Sequence, residues 1–325
     1  MSARKQRRRV AVLDLGSASF HLVIADVRTP ASIRVIADKS EDLALGTSVG
    51  ETGRVQRSDM DRAVSVARRF AEKAEHASAM DIIVAATSAL RIASNGDGLI
   101  ERIEDAIGRE VRTISGEAEA ILAYVGARAG LRLDGSPTVV ADLGGGSLDV
   151  ARGVGPHVLS TASLPLGALR LAAEWIERDP PSPAEWQALA HHISTEVAAA
   201  LDRFDADAPR LVVTGGTAKA LSRLDAGEDL VRPHGYRLRR ESLQTLESRL
   251  LSATRTERKK MPGMPRRRVD AAGPGAAVIR TLTETIGASE VTVSRWGFRE
   301  GIMLTTLRHG GDSTLVGTNA ERPAA

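Results

Sequence analysis

Short apolar runs alternate with stretches in which apolar positions recur every three or four residues, the rhythm of strands interleaved with helices. Val10–Asp14, Phe20–Asp26 and Ile33–Ala37 predict three strands, with Arg28-Thr29-Pro30 as the turn before the third. From Ser58 onward, Met60, Ala63, Val64, Ala67, Phe70, Ala71 and Ala74 share one helical face, so Ser58–His76 is expected as an amphipathic helix capped by Ser58. Ile82–Ala86 predicts a buried strand, Gly98–Ile107 a helix and Val111–Ile114 a short strand. A further helix begins within Glu117-Ala118-Glu119-Ala120, its glutamates in the first turn, where the helix dipole favours negative charge.

After Gly130 the order restarts. The turn Asp134-Gly135-Ser136-Pro137 leads into the strand Thr138-Val139-Val140-Ala141, and a second strand follows a glycine turn. Helices are expected over Gly167–Arg178 and Ala184–Phe204, then a strand over Leu211–Val213. A boundary near residues 126–131 divides this pattern into domains 1–127 and 128–308. The segment 309–325, rich in small polar residues and without periodicity, is expected to be a poorly ordered tail.

A chain of 325 residues suits two domains with a cleft between them, and 42% hydrophobic residues suffice for two cores. Aromatics make up only 3%, which argues against a stacking platform for single-stranded nucleic acid, and no specific nucleic-acid partner is expected. The net charge is +3, with the excess concentrated in Arg4-Lys5-Gln6-Arg7-Arg8-Arg9 and in the segment Arg255–Arg268, which attracts polyanions or forms a solvated face. With no cysteine, disulfides, thiolate metal sites and a cysteine nucleophile are excluded. The apolar stretch after the basic start is broken by Asp14, Gly16 and His21, too early for a membrane span or a signal core, so a cytoplasmic protein without membrane attachment is expected.

Two strand ends carry nearly the same signal: Asp14-Leu15-Gly16-Ser17-Ala18-Ser19 and Asp142-Leu143-Gly144-Gly145-Gly146-Ser147. Small residues let backbone N–H groups approach anionic oxygens, and an Asp beside them can hold a divalent cation against phosphate. Thr214-Gly215-Gly216-Thr217 repeats the logic at a strand end that opens a helix, whose N-terminus can receive phosphate. Arg91, beyond the strand Ile82–Ala86, is either a two-pronged phosphate clamp or a surface arginine. Glu119 and Asp149 are the acid–base candidates, although spacing alone also allows Glu119 to be a charge at a helix N-terminus.

Taken in order, these motifs together with Phe20-His21-Leu22, Ala86-Thr87-Ser88-Ala89-Leu90-Arg91, Ser115-Gly116-Glu117-Ala118-Glu119-Ala120, Leu148-Asp149, Ser163-Leu164-Pro165-Leu166-Gly167-Ala168-Leu169-Arg170 and Arg299-Glu300-Gly301 resemble the exopolyphosphatase and guanosine-pentaphosphate phosphatase family. The resemblance spans about Val10 to Leu307 and matches the family's short form. It implies an α/β architecture of two ribonuclease-H-like domains, of the actin-like ATPase and sugar kinase superfamily, with an interdomain cleft. It also implies Mg²⁺-assisted attack of water on a terminal phosphoryl group of inorganic polyphosphate or guanosine pentaphosphate. On this reading Glu119 is the base, Asp14, Asp142 and Asp149 hold metal, and Ser17, Ser19, Arg91, Gly145, Gly146, Ser147, Gly216 and Thr217 bind phosphates, with the chain of substrate drawn along Arg255–Arg268. A homodimer that extends the groove is a further expectation.

Three positions depart from the family pattern. Ala18 replaces an Asn, Ala118 replaces the first of two glutamates, and Asp149 replaces a glutamate with a shorter side chain. These departures motivate an alternative reading, a polyphosphate or guanosine-polyphosphate sensor with weakened catalysis. A phosphotransferase returning phosphoryl groups to ADP ranks behind both, since the sequence shows no distinct adenine pocket.

Overall fold

Backbone pleating sends successive side chains of a strand to opposite faces, so a strand that is apolar throughout must be covered on both sides. In the computed structural model, which describes residues 7–29, 32–202, 204, 210–227 and 233–308, this holds for the leading strand of each half. In β1 (Arg8–Leu15), Ala11, Leu13 and Leu15 join one apolar cluster, while Val10 and Val12 join another on the opposite face. The corresponding strand of the second half divides in the same way.

The first half adds β2 (Ser19–Thr29), β3 (Ser32–Asp42), α1 (Leu45–Thr52), α2 (Arg57–His76), β4 (Asp81–Ala86), α3 (Ser88–Ile92), α4 (Gly96–Ile107), β5 (Val111–Thr113) and α5 (Gly116–Leu131). Its sheet has the order β3-β2-β1-β4-β5, with β2 antiparallel and β4 parallel to β1. The second half contains β6 (Pro137–Leu143), β7 (Leu148–Val154), β8 (His157–Leu164), α6 (Ala168–Trp175), α7 (Pro183–Leu201), β9 (Arg210–Thr214) and α8 (Gly216–Ala226). It continues through β10 (Arg237–Arg239), α9 (Arg240–Ser252), α10 (Arg255–Arg258), α11 (Ala272–Thr285), β11 (Glu290–Val293) and α12 (Phe298–Arg308). Its sheet has the order β10-β11-β9-β6-β7-β8, and β6 repeats the pairing of β1, antiparallel to β7 and parallel to β9. Val139, Ala141 and Leu143 face the large core built on α7, α9 and α11, while Val140 faces α5.

The boundary expected near residues 126–131 falls inside α5. One face of α5, through Ala120, Ala123, Tyr124 and Ala127, packs on Val140, Ala151 and Val212 of the second sheet. Another, through Leu122, Val125 and Ala129, shares a cluster with Val10 and Val12 of the first sheet and with Phe298, Ile302 and Met303 of α12. The last helix therefore returns to the core of the first half, although the sequence division assigns it to the second.

Several ends differ from expectation. The helix over α2 starts at Arg57 after Gln56, so Ser58 lies within its first turn and is not the cap. At the start of α5, Ser115 is the cap, its hydroxyl accepting from the Ala118 N–H at 3.2 Å. The tail expected over 309–325 lies outside the described residues.

Candidate active site

Asp14 and Asp142 occupy equivalent places, each one residue before the end of the leading strand of its sheet. Each strand then turns through small residues into its antiparallel neighbour, pairing Asp14 with His21 and Asp142 with Asp149. The two turns meet. A Cβ on Gly145 would lie 3.2 Å from the Ala18 nitrogen, and one on Gly146 would lie 2.5 Å from both Ser17 Oγ and Ser88 Oγ. Only bare backbone fits at that approach, which explains the glycines.

A cleft of about 530 Å³ opens between the halves and is lined by Asp14, Ser17, Ser19, Glu119, Asp142, Gly145, Gly146, Ser147, Asp149 and Gly216, all expected from sequence. Gly215 has φ +99, a conformation that favours glycine, and this turn starts α8 beside the Leu143 carbonyl and the Asp142 carboxylate. Thr217 is fully buried, its Oγ1 without a hydrogen-bond partner among the described residues, and it is not part of the cleft lining. Arg91 is also outside the lining: its Nη1 donates to Glu119 Oε2 at 2.8 Å and to the Ile114 carbonyl. It holds the candidate base rather than facing the cleft.

The carboxyl groups lie in an environment that resists ionisation. Burial pushes Glu119 well above the usual carboxylate range and the neighbouring Asp149 adds to this, while Arg91 opposes it. Burial, reinforced by Asp149, raises Asp142 to about 7. Asp149 rises to about 6 through burial, against the hydroxyls of Ser163 and Ser147, which donate to it at 2.5 Å and 2.8 Å. Burial also raises Asp14, countered by Arg299, whose Nη1 donates to Asp14 Oδ2 at 3.2 Å.

The same cleft also carries basic side chains. Lys219, one turn into α8, is lowered by burial to about 8, and Arg268 to about 10. The Arg268 guanidinium lies over Gly216, where any side chain would collide with it. Arg267 and Arg268, which close the basic segment expected to draw the substrate chain, line the cleft, and so do Lys219 and Arg299, which were not among the expected site residues. A signal for Arg299 existed, since it opens the last quoted motif. Two other arginines of that segment are held in ion pairs, Arg255 to Asp270 at 2.7 and 3.0 Å and Arg258 to Asp179 at 3.1 Å. The amino-terminal basic block is likewise structural where it is described, with Arg7 and Arg9 paired to Asp26 and Arg8 to Asp81.

Ala18 lines the cleft, so the expected loss of a polar group does fall there. Ala118 does not; it packs in the apolar cluster of the first sheet and α12. Among the described residues, no helix is long and apolar enough to cross a membrane.

Two sheets with matching topology, meeting at paired glycine turns over buried acids and facing arginines, define a two-domain α/β protein that handles phosphoryl groups. A profile described as the Ppx/GppA phosphatase family matches residues 23–309, and the chain belongs to that family. It is 28% identical over 312 residues to exopolyphosphatase 1 of Mycobacterium tuberculosis, covering 95% of this chain and 91% of that one. Exopolyphosphatase 2 of the same organism is 30% identical over 314 residues, covering 91% and 98%. The crystal structure of the Aquifex aeolicus Ppx/GppA family member superposes with a TM-score of 0.80 at 26% identity, over 94% of this chain and 99% of that one. The fold is accordingly that of two actin-like ATPase domains.

Proposed function

We propose that the protein is an exopolyphosphatase that releases terminal phosphate from inorganic polyphosphate by attack of water. The observation that carries this reading is the convergence of both glycine turns, Glu119 and seven lysine and arginine residues on one cleft. In this reading the backbone N–H groups of Gly145 and Gly146 and the hydroxyls of Ser17 and Ser147, all from residues that line the cleft, hold the terminal phosphoryl group, and Lys219, Arg267 and Arg268 hold the chain behind it. Glu119, oriented by Arg91, accepts the proton of the attacking water. The water oxygen bonds to the terminal phosphorus, the bridging P–O bond breaks, and the shortened chain keeps the bridging oxygen.

Among the described residues, no three His, Cys, Asp or Glu side chains lie close enough to hold a metal ion by themselves. Mg²⁺ does not require such a cage, because it retains water and shares phosphate oxygens, binding through only one or two carboxylates. Asp14 and Asp142, partly buried and crowded by neighbouring charge at the cleft, fit that role, with the buried Asp149 held by two serine hydroxyls. The chemistry a Mg²⁺ ion supplies there is neutralisation of phosphoryl oxygens. In this reading the lost Asn at Ala18 and the short Asp149 weaken the positioning of phosphate without removing the base.

The test is phosphate release from polyphosphate by purified protein with Mg²⁺, beside Glu119→Gln. A fall of about 10²–10⁴-fold is expected for removal of a general base. Equal rates in the two proteins would remove Glu119 from the mechanism. Tight polyphosphate binding with no release by either would favour the sensor, and release from guanosine pentaphosphate alone would change the substrate.

A further inference from the structure

A second cavity, of about 480 Å³, lies behind the two glycine turns, away from the main cleft. Its walls are Gly46 and Gly50 of α1, Ile92 of α3, and Arg170 and Glu174 of α6. Ser17, Ser88 and Gly146 line both this cavity and the cleft, so the wall between them is a single residue thick. It consists of two hydroxymethyl groups and a glycine that touch without a larger side chain between them.

We propose that this cavity is an orthophosphate site through which the hydrolytic product leaves, and the proposal rests on the reading of the cleft as a site of terminal phosphate hydrolysis. Once the terminal bond is broken, orthophosphate rests against Ser17 and Gly146 while the shortened polyanion still fills the cleft, held by its arginines and Lys219. Two adjacent anions repel, and the chain obstructs the way the substrate came in. The cavity behind offers one cation, Arg170, already shared with Glu174 through an Nε to Oε1 bond of 2.8 Å. A cation so paired attracts an anion and releases it. Gly46 and Gly50 lie one turn apart on α1, and Gly46 packs so closely on the dividing wall that a Cβ there would lie 3.0 Å from Ser17 Cβ. A Cβ on Gly50 would make only ordinary contacts, 3.7 Å to Ala173 Cβ and 4.0 Å to Glu174 Oε1. The device lets the enzyme keep its chain while discarding product.

The experiment narrows the passage and follows acid-quenched phosphate formation from long-chain polyphosphate and from tripolyphosphate, whose short product does not obstruct the front. Gly50→Leu fills the cavity from α1, and Ile92→Trp, at an exposed position, fills it from α3 and serves if the first variant does not fold. On long chains each variant is expected to show a burst near one phosphate per enzyme, followed by a steady rate about tenfold below that of the unaltered protein, because release has become limiting. On tripolyphosphate no burst and no slowing are expected. Unchanged turnover of long chains in a folded variant overturns the proposal, as does equal slowing on both substrates without a burst. If the unaltered protein hydrolyses neither substrate, the hydrolytic reading itself fails, a result distinct from either.

Discussion

Glu119 can accept a proton only as a carboxylate, yet burial and the neighbouring Asp149 favour its protonated form. Arg91 is the group that works against them, which gives it a role different from the phosphate clamp expected from sequence. With Arg91→Met the opposing charge disappears, the Glu119 pKa rises further, and the acid limb of kcat/KM moves to higher pH. A pH profile checks this; a uniform drop at every pH would mean that Arg91 acts on something other than the ionisation of Glu119. The motif position of Arg91 was legible, whereas its partner was not, because the two lie 28 positions apart in sequence and come together only through the parallel pairing of β4 with β5. Ala118 makes the complementary case. A glutamate lost from position 118 looks like a lost ligand in sequence, but Ala118 is a partly buried residue packed against the apolar cluster of the first sheet and α12, outside the cleft lining.

Among the helices, α7 shows the fullest set of local start signals. Ser182 caps it, with its hydroxyl accepting from the Glu185 N–H at 3.3 Å, and Glu185 reaches back to the Ser182 N–H at 2.6 Å, with Pro183 at the first helical position. Ser182→Ala is expected to lower stability at neutral pH by about 1 kcal/mol, as loss of a serine cap does. The hydrogen bonds from Ser182 hold the Glu185 carboxyl down to about 2 from an ordinary value of 4.5. A depressed pKa means that the folded state binds fewer protons, so the contribution of Glu185 is complete above about pH 4.5 and fades as pH falls towards 2. Denaturant melts of Glu185→Gln and the unaltered protein are therefore expected to differ at pH 7 and to converge near pH 2. Start signals of this kind made much of the first half readable. They fail at α11, which opens Ala272-Gly273-Pro274-Gly275 and reads as a loop. Those residues are buried under α7 and α9, and the tight packing that needs small residues overrides their weak helix propensity. The strands β10 and β11, with three and four residues, are too short for alternation to show.

For the molecule as a whole, the two glycine turns were visible in the chain, but the contact that sets one half against the other was not. That contact is the crossing of α5 and α12, which join the first sheet, the second sheet and the cleft. The helices approach so closely that a Cβ on Gly126 would collide with the Gly297 carbonyl and reach 3.0 Å from the Gly301 nitrogen, while a Cβ on Gly301 would collide with the Leu122 carbonyl. Backbone atoms cannot swing aside as a side chain can, so an added methyl must part the helices. The first turn of α12 carries Arg299, which holds Asp14, and its next residue, Glu300, accepts from the Gly297 N–H at 2.9 Å. Gly126→Ala is accordingly expected to act twice. Overpacking should cost about 1–3 kcal/mol of stability, read from a denaturant melt. Displacement of Arg299 should also lower the rate of phosphate release from polyphosphate, although residue 126 is not part of the cleft lining. Alanine is the better helix former, so isolated helix propensity predicts the opposite sign for stability. A variant at least as stable and as active as the unaltered protein would show that the crossing does not set the cleft.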